Sequence, residues 1–254
     1  MFNNNIFSNK KVLITGNTGF KGSWLSIWLD LLGANIYGLA LDPPTNPSLF
    51  EKANLSKVII NNIIDIKDSQ KVINLIERLK PDYVFHLAAQ PLVKYSYSNP
   101  VETWQTNVMG TVNILESLRI LKNKCIGIII TSDKCYENQE WEWGYRENDK
   151  LGGSDPYSGS KGCAELAFNS YYKSFFSDSS INNIRIASAR AGNVIGGGDW
   201  AKDRIVPDCI KAWSQKMSVH INSPESTRPF QHVLEPLSGY LSLAKQLTLN
   251  PNLS

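Results

Sequence analysis

The fold is decided by a stretch near the amino terminus, Val12-Leu13-Ile14-Thr15-Gly16-Asn17-Thr18-Gly19-Phe20-Lys21-Gly22. Its first four residues are apolar or β-branched and predict a buried strand. Apolar side chains then recur at helical spacing over residues 23–32, and Gly33 ends that pattern. A glycine-rich turn between a strand and a helix lets backbone amides approach a pyrophosphate, which the helix N-terminus stabilises. Taken alone, the same pattern can also be only a tight turn.

The alternation of strand and helix continues along the chain. We expect further strands over residues 36–41, 58–64, 83–87, 126–130 and 184–190, and helices over residues 69–79, 101–121 and 157–175. Strands that alternate with helices build βαβ units, whose strands are parallel. The sequence therefore predicts an α/β fold with a Rossmann-like, doubly wound parallel sheet.

The periodicity weakens after Asn193. We expect a short helix over residues 205–215, a short strand over 219–222 and a last helix over 236–247. These pieces are too few to form an independent core of ordinary size. We therefore predict a Rossmann-like domain over residues 1–190 and the beginning of a small second lobe over 191–254, at the carboxyl edge of the sheet. The residues considered below add that the first binds NAD and that the second is a partial substrate lobe.

Composition excludes several classes of protein. The 254 residues are 42% hydrophobic and 19% charged, with a net charge of +3, which is typical of a folded globular protein. Basic residues are scattered among acids, so we expect no nucleic-acid partner. No apolar run approaches a membrane span and the Asn-rich start is not a signal peptide, so we expect a cytoplasmic protein. Neither the four cysteines nor the three histidines have the spacing of a metal site.

Asp42 ends the second predicted strand, 20 residues beyond Gly22. A carboxylate at this place can accept hydrogen bonds from both ribose hydroxyls of NAD and repels the 2′-phosphate of NADP. The sequence therefore favours NAD. The alternative is that Asp42 is a turn residue before Pro43 and Pro44.

A second group of residues carries the chemistry of proton transfer. Tyr157 and Lys161 lie four residues apart in a predicted helix and therefore on one face. Because a nearby ammonium favours tyrosinate, we expect a lowered pKa for Tyr157, suited to take a hydroxyl proton during hydride transfer. Ser132, Asp133 and Lys134 follow a predicted strand directly, at the sheet edge where ligands bind. The alternative for these three is an exposed polar loop.

With these residues in place, the chain resembles the extended short-chain dehydrogenases/reductases that act on nucleotide sugars, and among them most closely the CDP-glucose 4,6-dehydratases. The resemblance covers the chain from about Lys11 to its end. Members of this family are longer, so the resemblance implies a truncated carboxyl-terminal lobe. It rests on long strings, namely residues 16–24, 41–45, 131–145, 191–200, 204–208 and 228–234.

The resemblance implies a lyase that removes water from CDP-glucose with NAD as a bound cofactor. Tyr157, helped by Ser132 and Lys161, would remove the O4 proton, and Asp133 would protonate the departing C6 hydroxyl. Lys134 stands where most relatives have a glutamate that removes the C5 proton. It can act as a base only if burial or neighbouring cations depress its pKa. Otherwise Lys134 pairs with Asp133 or a phosphate, and another group removes the proton.

The resemblance also implies two sets of binding residues. The cofactor set is Gly16, Thr18, Gly19, Phe20, Gly22, Asp42, Asp65, Ile66, Leu87, Ala88, Ala89, Gln90, Asn107, Tyr157 and Lys161. The substrate set is Ser132, Asn193, Arg204 and Arg228. Guanidinium groups suit a diphosphate by their bidentate geometry. Either arginine could instead form a surface ion pair, and Asn107 could instead bond only a neighbouring turn.

Three further points stay open at this level. Relatives pair through the helices expected over residues 101–121 and 157–175, which implies a homodimer or higher homo-oligomer. Trp141 and Trp143 could cover the sugar, or could fill core and interface. The competing functions are another nucleotide-sugar dehydratase or epimerase, and an inactive NAD-binding fragment.

Overall fold

A computed structural model of the protein describes residues 5–178, 183–221 and 223–250. Six parallel strands form one sheet in the order β3-β2-β1-β4-β5-β6. The order reverses between β1 and β4, which is the arrangement of a Rossmann sheet. The predicted α/β fold is confirmed. The strands are β1 (Lys11–Thr15), β2 (Asn35–Ala40), β3 (Ile59–Ile63), β4 (Tyr83–His86), β5 (Cys125–Ile130) and β6 (Ile184–Ala189).

Helices cover both faces of the sheet. The helix expected over residues 101–121 is confirmed, but a π-helical turn, Gln105–Met109, interrupts it. The helix expected over residues 157–175 also ends in such a turn, Tyr172–Phe176. The α-helices are α1 (Phe20–Leu31), α2 (Leu49–Lys52), α3 (Ser69–Leu79), α4 (Val93–Ser98), α5 (Pro100–Trp104), α6 (Gly110–Ile120), α7 (Pro156–Tyr171), α8 (Ile205–Ser214) and α9 (Leu234–Leu249).

The core has two layers because successive strand residues face opposite sides of the sheet. Val12 and Ile14 of β1 lie in the layer that includes α1 and α9, whereas Leu13 lies in the layer that includes α3 and α6. Helix α9 thus packs on the sheet together with α1. The domain boundary expected at residue 190 stays a prediction.

One expected element is wrong. Residues 219–221 form no strand and are largely exposed, and residue 222 lies outside the described part of the chain. A different small sheet is present instead, in which β7 (Val194–Ile195) pairs in parallel with β8 (Gln231–His232). Each of these strands has two residues, and the two are far apart in the chain, so neither gives a periodic signal. Across the described residues, no helix combines the length and apolar character needed to cross a membrane.

Candidate active site

The glycine-rich turn between β1 and α1 has no room for a side chain at two of its positions. Gly16 has a φ of 72°, and a Cβ there would lie 2.9 Å from the backbone of Ala88. A Cβ on Gly22 would overlap the carbonyl oxygen of Gly16. Gly19 precedes α1, and no side chain caps the first amides of this helix. An uncapped N-terminus beneath a close-packed turn has the geometry that binds a phosphate.

Strand ends flank this turn on both sides. Thr18 Oγ1 donates to the backbone carbonyl just before Asp42 (2.9 Å), and Asp42 is exposed at the rim of a surface depression of about 480 Å³. On the other side, the amides of Leu87 and Ala88 each donate to Thr15 Oγ1 (3.1 Å). The turn therefore lies between the ends of β2 and β4, where a Rossmann sheet binds its ligand.

Four more of the predicted cofactor residues surround this region. Asp65 Oδ1 accepts from an amide two residues on (2.9 Å), and Ile66 is buried at Gly110, where a Cβ would overlap its side chain. Phe20 is half-buried, with its ring 3.2 Å from the position that a Cβ of Gly196 would take. Ala89 is half-buried in the loop after β4.

Buried His86 ties β1 to α6. Its Nδ1 lies 2.7 Å from Thr15 Oγ1 and its Nε2 lies 3.2 Å from Thr111 Oγ1. Thr111 Oγ1 already donates to the carbonyl of Asn107 (2.7 Å), so it accepts from His86 Nε2–H, and Thr15 donates to Nδ1. This assignment requires a neutral ring. Burial, with a smaller contribution from Lys161, lowers the pKa of His86 to about 3.

Asn107 lies in the π-helical turn and joins three segments. Its Oδ1 accepts from the amide of Gln90 (2.8 Å), and its Nδ2 donates to the Gln90 carbonyl (3.1 Å) and to Ser160 Oγ (2.9 Å). Ser160 Oγ in turn donates to the carbonyl of Tyr157 (2.7 Å). Asn107 therefore fixes the loop after β4 against the first turn of α7.

Residues 132–135 form a turn at the carboxyl end of β5, which we call the β5 turn. Ser132 Oγ donates to Asp133 Oδ1 (3.0 Å) and accepts from the amide of Lys134 (3.2 Å). The amide of Asp133 donates to the Ala191 carbonyl (3.2 Å). Lys134 is half-buried, and its Nζ makes no hydrogen bond or ion pair with any residue that the structure describes.

Tyr157 is buried in the first turn of α7, with Ser132 close enough to its hydroxyl to affect its pKa. Burial raises the pKa of Tyr157, and Asp133 acts in the same direction, whereas Ser132 and Arg204 oppose them. The expected lowering of the pKa by Lys161 is therefore wrong for the protein alone. The Lys161 ammonium lies 5.9 Å from the centroid of the ring, and desolvation of the phenolate outweighs the nearby cations.

Lys161 and Lys21 are two cations in the same cleft. Burial first, and then the charge of Lys21, lower the pKa of Lys161 to about 8. Burial first, and then Arg204, lower the pKa of Lys21 to about 8, while Asp133 opposes the shift. Lys21 belongs to the glycine-rich turn, whose pattern predicts no role for its side chain, so it was missed as a site residue. Its place at the second position of α1 was the available signal.

The three predicted diphosphate residues differ in their surroundings. Arg204 forms an ion pair with Asp199 (2.9 Å) and lies close enough to Tyr157 to affect its pKa. Asn193 accepts the amide of a β8 residue through its carbonyl (3.0 Å). Arg228 is exposed and donates to the carbonyl of the preceding residue (2.9 Å). Its neighbour Pro229 lies near Asp133, since a Cβ on Gly192 would be 3.3 Å from Pro229 and 3.5 Å from Asp133 Oδ2.

The structure thus brings most of the predicted residues to one edge of the sheet. The glycine-rich turn, the loop after β4, the β5 turn and the start of α7 enclose the same space, with Arg204 beside it. An acid, a phenol and two lysines of lowered pKa face each other there. Groups of this kind can transfer protons at two carbon or oxygen atoms of one ligand.

A family model described as GDP-mannose 4,6 dehydratase matches residues 13–243. Among curated proteins, the chain is 53% identical over 249 residues to "CDP-glucose 4,6-dehydratase" of Salmonella typhimurium, covering 97% of this chain and 69% of that protein. It is 28% identical to "dTDP-D-glucose 4,6-dehydratase" of Dictyostelium discoideum, covering 91% of this chain and 54% of that protein.

Solved structures share the fold at low sequence identity. MoeE5 in complex with UDP-glucose and NAD superposes with a TM-score of 0.76 at 22% identity, covering 92% of this chain and 71% of that one. The UDP-N-acetylglucosamine 4-epimerase from Methanobrevibacter ruminantium superposes with a TM-score of 0.79, also at 22% identity, covering 94% of this chain and 74% of that one. At this identity the likeness concerns the fold alone.

Proposed function

Because the chain belongs to the GDP-mannose 4,6 dehydratase family, we propose that it removes water from CDP-glucose, giving CDP-4-dehydro-6-deoxy-glucose with NAD as its bound cofactor. One observation carries the proposal. The carboxyl edge of the sheet brings together Ser132, Asp133, Tyr157 and Lys161, next to a phosphate-binding turn. The choice of CDP-glucose follows the Salmonella relative, of which this chain covers 69%.

The residues present fit a nicotinamide dinucleotide. The uncapped N-terminus of α1 and the close approach at Gly16 suit a pyrophosphate, and exposed Asp42 suits an unphosphorylated adenosine ribose. Asp65 and Ile66 would border the adenine, and Lys161 would hold the nicotinamide ribose. When bound, such a cofactor supplies reversible hydride transfer.

The proposed chemistry begins at the sugar O4. Tyr157 would take the O4 proton while Ser132 holds the same oxygen, and the C4 hydride would pass to the nicotinamide ring, so that C4 becomes a ketone. A phenol with a raised pKa is mostly protonated at neutral pH, and Ser132 and Arg204 oppose that shift. The C4 ketone acidifies the hydrogen on C5. Asp133 would then protonate the C6 hydroxyl, which leaves as water when C5 loses its proton. Return of the hydride to C6 and of a proton to C5 would reduce the C5=C6 bond.

An amine must take the proton from C5. Lys134 is the predicted base, and its Nζ has no carboxylate partner among the residues described. Lys21 lies close enough to Asp133 for that carboxylate to raise its pKa, and the resulting pKa of about 8 leaves part of its amine neutral near pH 8. Both alternatives from the sequence therefore remain within the proposal.

For the nucleotide diphosphate, we propose Arg204 and Asn193 as the main contacts, with exposed Arg228 at the rim of the site beside them. Arg204 already balances the buried Asp199. A bound diphosphate would also face Lys21 and Lys161, so the excess positive charge of the cleft favours an anionic substrate.

We further propose that the protein acts as a homodimer. An apolar depression of about 360 Å³ is lined by Pro100, Val101, Trp104, Gln105, Val108 and Met109. Trp104 packs beside Gly159 of α7, and Leu166 of α7 is 57% exposed. A second copy would cover these side chains. The free thiols suit a reducing compartment such as the cytoplasm.

The test is mass spectrometry of four nucleotide sugars after incubation with the protein and NAD: CDP-glucose, dTDP-glucose, GDP-mannose and UDP-glucose. We expect CDP-glucose alone to lose one water. Loss of water from a different sugar would reassign the substrate. A product of unchanged mass that separates from its substrate by chromatography would indicate an epimerase, and NAD binding without any product would indicate an inactive fragment.

A further inference from the structure

Buried Glu165 lies one helical turn beyond Lys161 on α7. It is 1% exposed, and no sequence pattern predicted a role for it. Each of its carboxylate oxygens has a partner: Oε1 accepts a short hydrogen bond from Thr131 Oγ1, and Oε2 accepts from Ser188 Oγ (3.2 Å) and Arg190 Nη2 (2.8 Å). A fully bonded buried carboxylate is costly to assemble and holds its neighbours in place.

The first consequence concerns the β5 turn. Thr131 immediately precedes Ser132, so the Thr131–Glu165 hydrogen bond fixes the end of β5 against α7. Tyr157 and Lys161 are on the same helix as Glu165. This one carboxylate therefore fixes the position of Ser132 relative to the helix that carries Tyr157 and Lys161.

The second consequence concerns charge. Residues four apart on a helix lie on one face, and the carboxylate is near enough to raise the pKa of Lys161 without forming an ion pair with it. Lys161 also faces Lys21 from α1, neutral His86 from β4 and the Tyr157 ring on its own helix. From the β5 turn it faces Cys135, a thiol whose pKa burial raises to about 12. Glu165 raises the pKa of Lys161, and Lys21 lowers it. Glu165 is thus the anion that opposes Lys21.

The third consequence concerns the loop after the β5 turn. Arg190 holds Glu165 with one nitrogen and with the other donates to Tyr136 Oη (2.8 Å) and to the Glu147 carbonyl (3.0 Å), while stacking on the Tyr136 ring. Tyr136 is the first of four aromatic rings in successive contact, followed by Tyr145, Trp141 and Trp143. The first and last pairs are stacked, and the middle pair is tilted. The ion pair therefore also anchors the aromatic loop.

We propose that Glu165, clamped by Arg190, is a positioning residue for the reaction: it fixes the β5 turn against α7 and keeps Lys161 in its charged form. Lys161 then holds its positive charge beside Tyr157 at neutral pH despite its burial and the nearby Lys21. Only the kinetic effect of this inference rests on the proposed function, because the charge of Lys161 can be measured without turnover.

The test is an NMR titration of the protein with lysine labelled at 13Cε. The Lys161 signal is assigned by its loss in Lys161→Met. In Glu165→Gln, the titration midpoint of Lys161 should fall by about one pH unit, as expected for removal of a neighbouring opposite charge. Arg190→Met is the matched control, since it breaks the same ion pair but leaves the carboxylate, and its midpoint should not fall.

A second variant separates the loss of the Glu165 charge from misfolding, since Glu165→Gln alone leaves Arg190 buried and unpaired. The double variant Glu165→Gln/Arg190→Met removes both charges and should show the same fall. In the kinetic arm, the high-pH limb of the kcat profile should move to lower pH in both variants that lack Glu165. An unchanged midpoint in both, with only lower thermal stability, would overturn the proposal. A wild-type protein without turnover would refute the proposed function, while the titration would still decide the role of Glu165.

Discussion

At the scale of single residues, the proposed role of Tyr157 most needs a test, because burial raises its pKa and yet it is the proposed proton acceptor. Tyr157→Phe removes the hydroxyl and leaves the ring packing. We expect kcat to fall by roughly 10²- to 10⁴-fold, the usual contribution of a positioned acid or base. NAD affinity, followed by tryptophan fluorescence, should change little.

The matched control for this substitution is Tyr97→Phe, at a tyrosine that is 67% exposed. It should keep full activity. A Tyr157→Phe protein as active as this control would show that another group takes the O4 proton.

Substitution of Lys21 should shift the Lys161 titration midpoint in the opposite direction to substitution of Glu165. In Lys21→Met, the midpoint of the Lys161 titration should rise, because the cation that lowers its pKa has gone. The variant should therefore retain charged Lys161 to higher pH. If the midpoint stays near 8, Lys21 does not contribute to the pKa of Lys161, and the two lysines do not interact.

His86 gives a prediction about stability. Its pKa is about 3 in the folded protein and 6.5 as the ordinary value, so below pH 6.5 the unfolded chain takes up a proton that the folded protein does not. The stabilisation by neutral His86 is complete above that pH and is lost as the pH falls.

Urea unfolding at pH 7.5 and 5.5 measures this loss. The free energy of unfolding should fall by about 1.4 kcal/mol more for the wild type than for His86→Gln, since other groups contribute equally to both. Equal falls in the two proteins would mean that His86 is protonated in the fold.

At this scale the sequence predicted residues whose partners are close in the chain or fixed by one motif. Tyr157, Lys161 and Ser132 meet as expected because helix spacing and the strand end place them. Lys21 and Glu165 were missed, because their roles depend on which charges packing brings beside them.

At the scale of elements, the turn at Gly22 is the most constrained. A Cβ on Gly22 would overlap a backbone carbonyl, which cannot swing away as a side chain can. Gly22→Ala should therefore shift the turn, lower the thermal midpoint and weaken NAD binding by at least tenfold. Fluorescence titration and thermal denaturation measure these effects.

Gly239→Ala tests the same change inside α9, where a Cβ meets nothing within 4 Å. It should stabilise the protein by up to about 1 kcal/mol, since alanine favours a helix. Similar behaviour of the two variants would contradict the close approach at Gly22.

Elements with strong periodicity were predictable, and those without it were not. The buried strand β5 and the amphipathic α3 have clear patterns and lie where expected. The β7–β8 pair has two residues in each strand and depends on a contact between distant segments. The π-helical turn at Asn107 lets this side chain reach Gln90 in the loop after β4. A contact of this kind gives no local sequence pattern.

At the scale of the whole molecule, the exposed apolar face of α5 and α7 predicts a dimer. Met109 is 51% exposed and Leu166 is 57% exposed. Leu166→Arg would bury an unpaired charge in a dimer interface and should convert dimers to monomers in sedimentation velocity. Leu31→Arg, at a leucine that is 80% exposed on α1, should leave the mass unchanged. A wild-type protein that sediments as a monomer would contradict the dimer.

The central claim is that hydrogen leaves C4 of the sugar and returns to C6 within one active site. The most direct measurement is the position of the label in the product from CDP-glucose deuterated at C4. We predict a product that is lighter by one water and carries deuterium on C6. Deuterium that stays on C4 or is lost to solvent, or a substrate that is recovered unchanged, would contradict the account.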